Sequence, residues 1–163
     1  MALRALILSV LLFFVAFGAH EVMHLLVIYA VGGQGAIIVR PWRLGLVDFT
    51  IYALHAQPGQ PLDVTRQAIV NFFGPFLAAV PLAALLLYVR ERIAVAALVA
   101  NIVILVFYAV IEAGDELLEA VNHVDVPLLT WPEFNYGVPV LIIALTALAV
   151  RLLSALDGRR IPD

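Results

Sequence analysis

Cysteine is absent from the 163 residues, and so is lysine. The first absence removes disulfides, thiolate metal sites and cysteine nucleophiles together, so any metal must be held by His, Asp or Glu. The second leaves nine arginines as the fixed side-chain cations of a chain with net charge −3. They are scattered, with none of the basic patches that nucleic acid requires, and no nucleic-acid partner is expected. Charge of either sign is scarce: 13% of residues are charged and 64% are hydrophobic. No soluble core of this size absorbs so much apolar side chain, and the composition points to an integral membrane protein whose solvent is the lipid bilayer.

Long apolar runs stand in place of the missing charge. A spanning helix needs roughly 20 predominantly apolar residues, so the length admits about four spans in one domain. The runs place them at about 3–31, 64–89, 93–119 and 137–156. The first run is not read as a cleaved leader, because the pattern continues through His20, Glu21 and His24 instead of stopping at a small-residue cleavage site. It stops at Gly32-Gly33, which breaks a helix readily. From 36 to 55 the texture changes to short β-branched and aromatic runs split by Arg40-Pro41-Trp42-Arg43, which predicts a β-hairpin or small sheet. Gln57-Pro58-Gly59-Gln60-Pro61 reads as a turn-rich linker, Asp63 or Thr65 as the N-cap of the second span, and Asp125 to Tyr136 as a loop. The expected fold is thus an all-α membrane protein of about four transmembrane helices, with a small β-hairpin insertion after the first.

His20-Glu21-Val22-Met23-His24 fits HExxH. Four residues apart on a helix, the two imidazoles share a face and can grip one metal ion, while the glutamate reaches a water beside it. The metal acidifies that water and the glutamate takes its proton. Either histidine alone reads as a hydrogen-bonded interior residue. Two histidines and a glutamate within one apolar span are costly to bury and mark function.

A catalytic zinc site usually has three protein ligands, so a further one must come from elsewhere. Glu112, Asp115, Glu116 and Glu119 lie near the end of the third span. At 100° per residue Glu112, Glu116, Glu119 and His123 fall within about 60° of one another, with Asp115 at the border of that stripe. The plainer reading is a solvated helix end. If the spans alternate, the first and third run in the same direction, and His20 and Asp115 reach similar depth near one face. The second span runs the opposite way and brings Asn71, Gly74 and Pro75 to that depth. There an amide and a Gly-Pro break could bind a substrate strand or line a cavity, or form a plain kink. Leu156-Asp157-Gly158 falls at the opposite face from His20, out of reach of the metal.

These residues together resemble the site-2 protease family of intramembrane zinc metalloproteases. The resemblance rests on HExxH late in an early span, a following β-rich segment, Gly74-Pro75, and an aspartate late in the next helix. It implies a zinc-dependent endopeptidase that hydrolyses peptide bonds of transmembrane protein or peptide substrates. By the same resemblance His20, His24 and Asp115 would hold Zn2+, Glu21 would be the base, and Asn71 would bind the substrate backbone. An edge strand from 36–55 would hold the substrate extended. Here the aspartate stands in Ile111-Glu112-Ala113-Gly114-Asp115-Glu116, without the leucine and glycine that flank it in the family. Two other readings use the same residues. Intramembrane His and acidic groups could form a metal or proton pathway, or the chain could be a non-catalytic protein that binds other spans.

Overall fold

A computed structural model describes residues 1–45, 48–122 and 131–157. Its elements follow the apolar runs: α1 (Ala2–Ala30), β1 (Gly35–Leu44), β2 (Phe49–Pro58), α2 (Val64–Leu85), α3 (Arg92–Asn122) and α4 (Pro132–Asp157). All four helices are long and apolar enough to cross a membrane, and the expected architecture is the observed one. His123, one of the acidic-stripe candidates, lies outside the described residues.

Several boundaries differ from the sequence reading: α2 ends at Leu85 instead of 89 and α3 runs on to Asn122 instead of 119, and two further shifts have identifiable reasons. Helix α4 starts at Pro132, five residues before the expected 137, because proline with its fixed φ suits the first helical position, where no intrahelical N–H is needed. Strand β2 continues through Gln57 to Pro58 and pairs with Gly35. Pro58 is tolerated at that terminus because a strand end can forgo a ladder donor. Asp63 caps α2 as expected, its carboxylate accepting the Arg66 N–H at 3.1 Å.

Helices α1 and α3 run parallel. At one end Arg4 faces Glu91, just before α3, at 4.0 Å. At the same end Ser154 of α4 meets Met1 Sδ at 3.2 Å, so the Asp157 terminus of α4 lies at the face opposite His20, as the topology required. The centre of the bundle is built from small residues. Ala16, Ala78 and Ala79 pack with Leu82, Leu98 and Leu105, joining α1, α2 and α3. Between helices in lipid there is little hydrophobic drive to associate, and small side chains let backbones approach for dispersion contact. Phe13, Ile104, Tyr108 and Ile143 seat α4 on α1 and α3. Large apolar residues that remain exposed on α1 and α4, such as Leu11, Phe14, Leu141 and Leu145, form the lipid-facing surface.

The hairpin is one antiparallel ladder from Gly35↔Pro58 to Leu44↔Phe49. Its base sits on Val27, Ile28 and Val70 through Ala56. Gly35 is required there because a Cβ would stand 2.7 Å from the Gln57 carbonyl oxygen. We expect Gly35→Ala to open the base of the hairpin while leaving the helices in place. Amide hydrogen exchange should then quicken at 36–38 and 55–57 and stay unchanged in α1 and α3.

Candidate metal centre

The HExxH motif occupies the last third of α1, where helical spacing turns His20 and His24 to one face. Both rings are buried, and their Nε2 atoms are 2.6 Å apart. Glu112 of α3 approaches both: Oε1 is 3.6 Å from His20 Nε2, and Oε2 is 3.2 Å from His24 Nε2. One ligand atom from each of the three residues lies within 4.8 Å of the others, a group that could hold a metal ion. Two imidazole nitrogens converging on one point beside a carboxylate fit a metal better than they fit one another. Two facing ring nitrogens can share only one hydrogen, whereas an ion uses a lone pair from each.

The acidic group that converges on the two histidines is Glu112, where the expectation was Asp115. Asp115 lies one turn further along α3 and lines the same cavity, but it is not one of the three converging groups. The 60° between the two positions decides this. The face of α3 turned to α1 is the one carrying Glu112, and Asp115 is set to its side. Glu116 lines the cavity as well.

Supports from every element hold the centre. The Asn71 side-chain N–H donates to the Glu112 carbonyl oxygen at 3.2 Å, and its Oδ1 accepts from Gln67 Nε2 at 2.7 Å. Asn71 does line the cavity, but both ends of its amide are engaged within the protein. Gly74 and Pro75 are not on the cavity wall. Pro75 is buried in α2, and Gly74 lies against the face of His24, where a Cβ would meet ring atoms Cγ and Cε1 at 2.6 Å. The sequence showed Gly74 as a candidate kink. Its tighter role, leaving room for an imidazole from another helix, depends on a contact that sequence does not display.

Tyr108, which sequence reasoning missed, stacks on His20 with centroids 5.8 Å apart and planes 19° apart. Its hydroxyl donates to the Asn135 carbonyl oxygen of α4. Phe17 meets the edge of His20 at 5.9 Å, and Tyr136 lies between Phe17 and Trp42 of β1. A tyrosine two turns along from Asn101 on an apolar helix looks like core. Only the 88-residue separation closed by the fold places it on the histidine. The His20 Nδ1 has no hydrogen-bond partner among the described residues, so ring contacts locate that side of the imidazole while its Nε2 faces His24 and Glu112.

Glu21 points to the hairpin side and accepts the Ala56 backbone N–H at 2.7 Å. His20, Glu21, His24 and Glu112 open into one cavity of about 620 Å³, walled also by Arg40, Trp42, His55 and Tyr136. Partial burial on β2, with Arg40 nearby, pushes His55 below the usual histidine range, although Glu21 opposes the shift. Its imidazole is therefore neutral at neutral pH.

Comparison with protein-family models, curated proteins and solved structures finds no match to the chain. The geometry of the centre carries the functional reading by itself.

Gly74→Ala is expected to push the His24 ring out of the cluster while α2 remains helical, alanine being the better helix former. Metal bound per purified chain, read by elemental analysis, should fall at least tenfold. Retention of the parental content would show that His24 does not depend on this clearance.

Proposed function

We propose that the chain is a zinc-dependent endopeptidase of the site-2 protease type, a multi-pass protein of the cell membrane that hydrolyses peptide bonds of membrane-embedded substrates. The observation that carries this reading is the convergence of His20, His24 and Glu112 beside Glu21 in one cavity. Two histidines and one glutamate are a recurrent ligand set for hydrolytic zinc, with a position left for water. Zinc bound there would polarise the scissile carbonyl and acidify the attacking water.

The remaining chemistry belongs to the chain. Glu21 is the base: it is adjacent to the ligands without being one of the three, and the Ala56 N–H fixes the direction of its carboxylate. Because that N–H points away from β1, the outer edge of β2 faces the centre. A substrate span has its backbone groups already paired in a helix and must unwind before a peptide bond can be attacked. An exposed strand edge receives such an extended segment by main-chain pairing. Burial of the centre among Phe17, Tyr108 and the helices limits bulk water to the amount the cavity admits.

Asp115 and Glu116 on the cavity wall favour a second reading, a metal or proton pathway. Transport needs no base beside the ligands, so Glu21 separates the two. In purified, zinc-loaded protein reconstituted with single-span peptides, Glu21→Gln should keep its zinc and lose about 10²–10⁴-fold in cleavage rate. Glu112→Ala should lose zinc itself. Cleavage by Glu21→Gln at the parental rate, with zinc bound, would refute the hydrolytic reading. Zinc flux into proteoliposomes that survives Glu21→Gln would favour the transporter.

A further inference from the structure

Two polar residues deep in the bundle take no part in the proposed reaction. Ser9 of α1 is 1% exposed and Asn101 of α3 is 0% exposed. The Asn101 Nδ2 group donates to the Ala97 carbonyl oxygen at 2.9 Å and to the Ser9 carbonyl oxygen at 3.2 Å. The first bond stays within α3, and the second crosses to α1. Asn101 Oδ1 and Ser9 Oγ are buried without a hydrogen-bond partner among the described residues. An unmet buried acceptor costs about 1–3 kcal/mol, so an apolar side chain would sit here with less penalty. The amide does something that packing cannot.

Its position shows what that is. Asn101 precedes Glu112 by eleven residues, and Ser9 precedes His20 by the same eleven. On an α-helix eleven residues make three turns plus about 20°, a rise of about 16.5 Å. On two parallel helices the pairs 9/101 and 20/112 therefore share one offset, 101 − 9 = 112 − 20 = 92. A slip of α3 by one residue would move Glu112 about 1.5 Å along the axis and about 100° around it, away from the histidines. The apolar cluster that joins these helices, with Ala16 on α1 and Leu98 and Leu105 on α3, supplies no directional bond, and lipid solvates apolar faces about as well as a neighbouring helix does. A single buried polar residue is a known way to fix helix register at some cost in stability.

We infer that Asn101 is a positioning residue, whose bond to the Ser9 carbonyl sets the register of α3 against α1 and so delivers Glu112 to His20 and His24. The consequence for metal binding rests on the reading of the centre given above, whereas the register is measurable without metal.

The absence of cysteine from the chain makes the test direct. Leu11 and Val103 have the same 92-residue offset and are 59% and 48% exposed. Leu11→Cys and Val103→Cys, carried together on the full chain and spin-labelled, report the α1–α3 register as a distance distribution. Asn101→Ser is the informative variant. In α4 the hydroxyls of Thr146 and Ser154 return to the i−4 carbonyls of Ile142 and Val150; a serine at 101 has the same reach to the Ala97 carbonyl but is too short to cross to α1, so the bond to Ser9 is lost. The expected result is a shifted or broadened distance distribution, together with at least a tenfold loss of zinc affinity by chelator competition. Ser9→Ala keeps the accepting carbonyl and should match the parent in both. If Asn101→Ser does not fold, Asn101→Gln displaces the donor by one methylene and should give the same two changes. A parental distance distribution in the Asn101 variant overturns the inference, whether or not zinc affinity falls. So does a shifted distribution with parental zinc affinity. A parent chain that binds no zinc overturns the metal-centre reading instead, and the label distances still judge the register.

Discussion

In hydrocarbon a polar group has no water to fall back on and must meet another protein group. The contact of His20 and His24 with Glu112 is the most demanding case of this constraint here, and much of the structure reads as its consequence. Helix α1 supplies the imidazoles and α3 the carboxylate. Helix α2 contributes Asn71 to hold the Glu112 backbone, and a glycine where any side chain would strike His24. Helix α4 receives the Tyr108 hydroxyl and so fixes the ring stacked on His20. Each support comes from a different span, so no single helix carries the centre.

That distribution suits a bundle whose core is largely alanine and leucine. In water such a core would be held by exclusion of solvent. In lipid it is held by close fit and dispersion contact, neither of which is directional. Directional contacts add precision along the helix axes. The Asn101, Asn71 and Tyr108 bonds are spaced along α3 and reach α1, α2 and α4 respectively. Together they restrain the translation and rotation of the helix that carries Glu112.

Much of the fold was legible in the sequence because it follows from local pattern. Apolar runs of span length can only be helices in a bilayer, and HExxH displays its own geometry through the 3.6-residue repeat. The hairpin showed itself by β-branched runs too short to span. What failed to show depends on how elements meet. The choice of Glu112 over Asp115 is a rotation of α3 by about 60°, and nothing within residues 111–116 encodes it. The information lies instead at Asn101, where an amide among apolar residues reads equally well as a satisfied core polar group. Gly74 was visible as a glycine, but the ring that requires it belongs to another helix. The early start of α4 was hidden because Pro132 reads as a breaker when a loop precedes it and as a first-turn residue when a helix follows.

The hairpin poses the remaining question, since an unpaired strand edge is costly wherever water cannot reach it. Here one donor on the outer edge of β2 is met within the protein: the Ala56 N–H is taken up by Glu21. The same atom pair thereby satisfies a strand edge and orients a carboxylate. Under the proposed function, an incoming strand that pairs with this edge competes with Glu21 for that amide. Binding of an extended backbone and release of the Glu21 carboxylate toward the cavity are then one exchange of hydrogen bonds.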